Sequence, residues 1–214
     1  MKLLIVRVGA MGDVLHALPG VAALRLARPD WRIDWAIDRR WASLLKVGEE
    51  AAPVVTNFHL VEAKEWVQAP ASIATLRSIY LLRKALRRER YDAVVDMQGT
   101  LRSAVIGRIA GAREFAGYSD PREAIAASFY KQKVMRRGTH VVRQGANLLS
   151  DVFNPGLEPA AFELPREDWA DNWAEELVGG AGGCKLAAHH EVELEPQASR
   201  ILVQHALSYF PSLV

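Results

Sequence analysis

Residues 1–19 read MKLLIVRVGAMGDVLHALP, which joins a strand pattern to a helix pattern through a glycine-containing loop. The continuous apolar run LLIVRV is typical of a parallel strand that is covered on both faces. Gly9 and Gly12 allow a ligand or another backbone to approach the loop closely, and Asp13 lies where the helix should begin. Because parallel sheets bind ligands beyond the carboxyl ends of their strands, this loop is the first candidate site.

The same alternation continues along the chain. Further strand patterns cover residues 32–38, 53–61, 91–96 and 113–118. Helix patterns cover residues 13–28, 40–47, 73–88, 101–110, 123–130 and 141–153, and Pro19 predicts a bend or interruption in the first of them. We therefore predict an α/β fold with a doubly wound, mostly parallel, Rossmann-like sheet.

A linker is predicted at residues 154–165, NPGLEPAAFELP, because three prolines interrupt any helical period there. We expect one domain over residues 1–165. Residues 166–214 are expected to form one helix and a poorly specified tail, since they lack the repeated strand–helix rhythm of a second full domain.

Composition places the chain among globular proteins, with 214 residues, 50% hydrophobic and 24% charged. Its single cysteine, Cys184, excludes an internal disulfide. The leading apolar run is about six residues long, which is too short for a signal peptide or a membrane span. We expect a cytoplasmic protein.

Charge is distributed unevenly. Residues 1–150 carry 24 Lys and Arg against 14 Asp and Glu, a net of +10, whereas residues 151–214 carry 3 against 11, a net of −8. A basic first part indicates an anionic partner, such as a sugar phosphate, a nucleotide, a nucleic acid or an acidic lipid surface. A solvated basic face explains the composition equally well.

Several polar residues follow predicted strands, and each has a structural and a functional interpretation. Asp13 is either a helix N-cap or first-turn residue, or a catalytic base. For Asp96 and Arg102 the structural interpretation is that Asp96 caps the next helix and Arg102 is solvated. The functional interpretation is that both flank a crevice shared with the first loop. Arg122 lies where a helix should begin, which is unfavourable for a cation and suggests that it binds phosphate or carboxylate.

Other site classes are disfavoured. The first loop lacks the third glycine of the dinucleotide fingerprint, and residues 189–191 (HHE) lack metal-ligand spacing, so no metal is expected. The basic runs lack the interleaved aromatic residues that stack bases, so no nucleic-acid partner is expected. The basic helix at 73–88 either rests on an anionic membrane or turns its apolar stripe to the sheet.

Three stretches resemble one family. KLLIVRVGAMGDVLHALPGVAAL (2–24), YDAVVDMQGTLRSAVIGRIAGAREFAGYSDPREAIAASFYKQKV (91–134) and THVVRQGANLL (139–149) are similar to the N-terminal half of ADP-heptose:lipopolysaccharide heptosyltransferases, glycosyltransferase family 9. The heptosyltransferase I group is the most similar, over about residues 1–165.

The resemblance implies the N-terminal half of a GT-B glycosyltransferase, which binds the Kdo sugars of a lipid A acceptor. It implies an inverting, metal-independent transfer of heptose from ADP-heptose and no cofactor. Asp13 is the implied general base, and the implied acceptor-binding residues are Gly9, Gly12, Lys64, Gln98, Arg102 and Arg122. Peripheral contact with the cytoplasmic face of the inner membrane is a further expectation.

The family's second half binds the nucleotide sugar, and residues from about 179 onward do not match it, so we expect no complete donor domain in this sequence. Two alternatives remain open beside the enzyme. One is a non-catalytic domain that binds an acidic glycolipid. The other, less favoured, is a nucleotide-binding Rossmann domain of the dehydrogenase type.

Overall fold

The computed structural model describes residues 1–45, 53–69, 71–153 and 156–162. Within these residues six strands form one sheet in the order β3-β2-β1-β4-β5-β6, and every neighbouring pair is parallel. The strands are β1 (Lys2–Val6), β2 (Arg32–Asp38), β3 (Asn57–Val61), β4 (Ala93–Asp96), β5 (Glu114–Tyr118) and β6 (Gln132–Val134). The predicted fold class, a doubly wound parallel α/β sheet, is confirmed.

Helices cover both faces of this sheet. They are α1 (Met11–Ala27), α2 (Ala63–Gln68), α3 (Ile73–Glu89), α4 (Leu101–Ala110) and α5 (Val141–Phe153), with 3₁₀ helices at Arg39–Leu45 and Ala124–Phe129. Leu3 and Ile5 of β1 belong to the core under α1 and α5, whereas Leu4 and Val6 belong to the core under α3 and α4. The apolar run of β1 is continuous because both of its faces are buried.

The strand order reverses between β1 and β4, which lie side by side at the centre of the sheet. In doubly wound sheets the loops that leave the carboxyl ends of the two strands at such a point separate and open a crevice. Here these are the loops that follow Val6 and Asp96. The fold therefore brings together the two loops that the sequence singles out.

Several local expectations differ from the structure. The predicted interruption at Pro19 is wrong, because α1 runs through it, buried against α5. Because proline has no N–H, the helix lacks one hydrogen bond there. The Pro19 carbonyl oxygen accepts a hydrogen bond from the Ala160 N–H at 3.1 Å, which connects α1 to the segment after α5. The helices expected at 40–47 and 123–130 are 3₁₀ helices, and the short elements α2 and β6 were not predicted.

The predicted domain boundary at 165 and the tail at 166–214 lie outside the described residues, as do Cys184 and residues 189–191. Among the helices that the structure describes, none has both the length and the apolar character needed to cross a bilayer.

Close packing of α1 against α5 gives the first prediction. A Cβ added at Gly20 would lie 2.9 Å from the backbone nitrogen of Ala146, so α5 would have to move. We expect Gly20→Ala to lower the free energy of unfolding by about 2 kcal/mol, measured by urea denaturation.

Gly12→Ala is the matched control in the same helix, because a Cβ there would meet nothing within 4 Å. Alanine favours helix over glycine, so this variant should be as stable as the parent or up to about 1 kcal/mol more stable. Equal unfolding midpoints for Gly20→Ala and the parent would contradict the close approach of the two helices.

Candidate functional site

The centre of the candidate site is an ion pair between the end of β1 and the first turn of α1. Arg7 Nη2 lies 3.1 Å from Asp13 Oδ1, and the side chain of Arg7 is only 11% exposed. Arg7 Nε also donates to the Asp13 carbonyl oxygen at 3.3 Å, and Nη1 donates to the carbonyl oxygen of Met97 after β4. Burial lowers the pKa of Arg7, and the Asp13 carboxylate acts in the opposite direction. One guanidinium therefore joins both loops of the crevice.

The position of Asp13 decides between its two structural interpretations. The N-cap of α1 is Ala10, which makes no side-chain capping bond, and Asp13 is an acidic residue of the first turn. The N-cap interpretation is wrong and the first-turn interpretation is correct. At this position the carboxylate is stabilised by the positive end of the helix dipole, and its side chain contacts two arginines.

Arg122, from the loop after β5, is the second arginine. Its Nη1 lies 3.6 Å from Asp13 Oδ2, which is beyond normal hydrogen-bond length, and its side chain is 64% exposed. The contact is therefore a loose, solvent-screened ion pair that a bound anion can displace. A carboxylate and a cation from different loops therefore meet here, but the cation is Arg122 from the loop after β5 and not Arg102, for which the sequence allowed this role.

Gln98 connects the loop after β4 to the loop after β1. Its Oε1 accepts hydrogen bonds from the backbone N–H of Val8 at 2.7 Å and of Gly9 at 3.3 Å. A Cβ at Gly9 would approach Trp41 Nε1 to 3.1 Å, so the loop has little space for a larger residue there. Gln98 thus holds the shape of the first loop, and its predicted contact with an acceptor stays a prediction.

Asp96 is fully buried at the end of β4 and organises the loop that carries Gln98. Its carboxylate accepts hydrogen bonds from the backbone N–H groups of Gln98 at 2.8 Å and Gly99 at 3.0 Å. It also accepts from Ser103 Oγ at 2.8 Å and the Tyr130 hydroxyl at 2.7 Å. Burial raises the pKa of Asp96, and these hydrogen bonds act in the opposite direction. The idea that Asp96 caps α4 is wrong, since Thr100 and Ser103 form a capping box there.

The remaining predicted residues lie around this centre. Gly12 faces open space in the first turn of α1, which leaves the approach to Asp13 clear. Arg102 is half-buried in the first turn of α4, and within the described ranges it forms no salt bridge. Lys64 lies in α2, and its side chain is outside what the structure describes.

Two functional candidates were missed by sequence reasoning, Arg7 and His16. A single charge in the apolar run of β1 was the available signal for Arg7. His16 lies three residues after Asp13 on α1, a spacing that places two side chains on one helix face. Burial lowers the pKa of His16, Asp13 opposes this shift, and the charges of Arg7 and His140 add to it. The neutral form of His16 is therefore favoured beside the carboxylate.

Metal ligands are not clustered in the described part of the chain. Over residues 1–45, 53–69, 71–153 and 156–162 no group of three or more His, Cys, Asp or Glu side chains is placed to hold a metal ion. The arrangement that is present, one carboxylate among arginines at a sheet crevice, can bind an anionic ligand and accept a proton from it.

Comparison with known proteins finds relatives of this chain among heptosyltransferases. Escherichia coli (strain K12) Lipopolysaccharide heptosyltransferase 1 is 34% identical over 135 residues, which is 62% of this chain and 41% of that protein. The protein of the same name from Pseudomonas aeruginosa PAO1 is 27% identical over 80% of this chain and 48% of its own length. The chain thus spans about half the length of these curated relatives.

The solved structures that the chain resembles are also covered over about half of their length. E. coli heptosyltransferase WaaC with ADP superposes with a TM-score of 0.65 at 27% identity, over 77% of this chain and 50% of that one. The family 9 glycosyltransferase of Veillonella parvula DSM 2008 superposes with a TM-score of 0.63 over 90% of this chain and 54% of its own. At 16% identity this likeness shows the fold alone. Residues 79–193, more than half of the sequence, match the glycosyltransferase family 9 (heptosyltransferase) profile. The chain belongs to glycosyltransferase family 9.

Proposed function

We propose that this chain is the acceptor-binding half of a lipopolysaccharide heptosyltransferase that transfers heptose from ADP-heptose to a Kdo sugar of the inner core. Asp13 is the general base of this reaction. The observation that carries the proposal is the Arg7–Asp13–Arg122 cluster, which lies at the switch point of the sheet in a chain of glycosyltransferase family 9.

The proposed chemistry needs one proton acceptor on the acceptor side. The oxygen of a sugar hydroxyl attacks the anomeric carbon of the heptose, the bond from that carbon to the diphosphate oxygen breaks, and ADP leaves from the opposite face. The anomeric configuration inverts, and the hydroxyl proton passes to Asp13. No metal ion takes part in the proposed transfer, and the donor is bound by the second half of the GT-B architecture.

The two oxygens of Asp13 suit this role unequally. Oδ1 is fixed by Arg7, which holds the side chain in one orientation. Among the residues that the structure describes, Oδ2 has only the long contact with the exposed Arg122, so it is the oxygen that an incoming hydroxyl can reach. A base that is oriented on one side and accessible on the other is what positioned proton transfer requires.

Cations around the base suit an acidic acceptor. Arg122 and Arg102 lie on loops or first helix turns at the carboxyl rim of the sheet, and Kdo carboxylates and lipid A phosphates are anions that arginine binds through paired hydrogen bonds. Since this acceptor is a glycolipid, we further propose that the protein works at the cytoplasmic face of the inner membrane as a peripheral protein.

Asp13→Asn tests the base. The amide keeps the shape of the carboxylate but cannot take the proton. In a two-domain protein that joins this half to a family 9 donor-binding half, we expect ADP release from ADP-heptose and Kdo-lipid A to fall at least about a hundredfold. Acceptor affinity, measured by titration calorimetry, should change less than about threefold, because the arginines remain.

Asp30→Asn is the matched control, since Asp30 is exposed in the turn between α1 and β2 at the other end of the sheet. Turnover by Asp13→Asn near the parent rate would contradict the assignment of the base. If the two-domain protein bound the acceptor without releasing ADP from ADP-heptose, the non-catalytic glycolipid-binding alternative would replace the enzyme. Protection of the first loop by NAD would favour the dinucleotide-binding alternative.

Arg122→Ala tests the acceptor pocket. We expect the dissociation constant for Kdo-lipid A to rise about tenfold and to depend less on salt than in the parent, because one charge-assisted contact is lost. Arg122→Lys should lie between the two, since an ammonium group cannot form the paired contact. The control is Arg113→Ala, an exposed arginine at the amino end of β5. Equal affinities of all three variants would remove Arg122 from the pocket.

A further inference from the structure

The outward side of α3 carries large apolar side chains that are mostly exposed among the described residues. Four of them are more than half exposed: Ile73 at 85%, Tyr80 at 59%, Leu76 at 57% and Leu81 at 52%. The helix does not need them for its own packing, because Thr75, Leu82 and Leu86 on the other side are buried against the sheet layer. The sequence expectation that the apolar stripe of α3 faces the sheet is therefore only half correct, since Leu76 and Tyr80 face outward.

Cations share this outward side. The exposed basic residues of α3 are Arg77, Arg83, Lys84, Arg87 and Arg88. The acidic residue of the helix, Glu89, is its last residue and is held by Arg32 at 2.9 Å and Lys2 at 3.6 Å. We call this surface, with its apolar and basic residues together, the α3 outer face. It presents positive charge and apolar groups with no acidic side chain among them.

The apolar end of the α3 outer face lies at the same end of the sheet as Asp13. The helix connects two parallel strands, β3 and β4, so it begins near their carboxyl ends and returns to their amino ends. Contacts confirm this direction. Ser78 Oγ donates to Glu62 Oε2 at 3.1 Å, just after β3 ends, whereas the Glu89 carbonyl oxygen accepts from Lys2 Nζ at 3.0 Å, where β1 begins.

A groove between α3 and the edge strand β3 extends the apolar surface toward the sheet. Its walls include Phe58 and Leu60 on β3 and Ile73 and Leu81 on α3. The acidic residue of the groove, Glu62, is paired with Arg39 at 3.3 Å. Leu60 is itself 38% exposed. Apolar side chains of β3 and α3 thus line one groove, so Ile73 and Leu81 are not isolated exposed residues.

We propose that the α3 outer face is the surface by which this protein docks on a bilayer of anionic phospholipids. The proposal rests on the proposed function in one respect, that a glycolipid acceptor is presented at such a bilayer. In this arrangement Ile73, Leu76, Tyr80 and Leu81 enter the headgroup–acyl boundary and the basic residues contact lipid phosphates. The lack of acidic side chains on the face favours a uniformly anionic surface over a protein partner.

Vesicle sedimentation tests the surface without the acceptor. The parent chain should bind vesicles of phosphatidylcholine mixed with phosphatidylglycerol and should bind pure phosphatidylcholine at least about tenfold more weakly. Binding to the mixed vesicles should weaken as salt increases. Equal binding to both vesicle types, or no binding to either, would overturn the proposal.

Two double variants separate the charged and apolar contributions. Arg83→Glu with Lys84→Glu should weaken binding to the mixed vesicles at least about tenfold, and Leu76→Ser with Tyr80→Ser should also weaken it at least about tenfold. The charge control is Arg113→Glu with Lys133→Glu near the opposite edge of the sheet, where both residues are exposed. The apolar control is Leu26→Ser, which removes a side chain that is 73% exposed on α1.

Unfolding midpoints and binding of the water-soluble, deacylated Kdo sugar complete the test. Variants of the α3 outer face should have the parent's unfolding midpoint and the parent's affinity for the sugar, because the substituted side chains are exposed and outside the Asp13 cluster. Loss of vesicle binding by the controls as much as by the α3 variants would overturn the proposed surface. If the parent bound vesicles but never the sugar, the proposed function would fail and the docking surface would stand.

Discussion

The ion pair between Arg7 and Asp13 is the contact on which the candidate site depends. A guanidinium that is almost buried at the end of a central strand is costly unless its donors are paired. Arg7 satisfies its donors with the carboxylate and carbonyl of Asp13 and with the Met97 carbonyl. The start of α1 and the end of β4 are thereby fixed to one side chain, and the orientation of Asp13 follows from that.

Support for this pair comes from a second buried carboxylate. Asp96 shapes the loop after β4, and Gln98 in that loop holds the backbone of Val8 and Gly9 after β1. The two loops of the crevice therefore constrain each other through hydrogen bonds, whereas Arg122 is exposed and only loosely paired. A rigid carboxylate next to an adjustable cation suits a site that must admit a large anionic acceptor and still align one hydroxyl.

Sequence reasoning succeeded where periodicity was strong and failed where partners were distant. The bounds of β2, α4 and α5 agree with their patterns to the residue, because each has a full buried face. The three-residue β6 is too short to give a pattern and exists through pairing with β5. Asp13 was singled out from its motif. Arg7 was interpreted as part of an apolar strand run, because its hydrogen bond to a carbonyl 90 residues away leaves no signal in the local pattern.

The exposed side chains of α3 show how one element can serve both stability and function. Its buried side supplies Leu82 and Leu86 to the core, so its outward side is free of packing constraints and would be expected to carry polar residues. Large apolar groups there lower solubility unless another surface covers them. Because α3 begins at the carboxyl rim, a bilayer that covers Ile73 and Leu76 meets the protein at the same end of the sheet as Asp13. Docking then raises the local concentration of a lipid-linked acceptor without any new contact at the base.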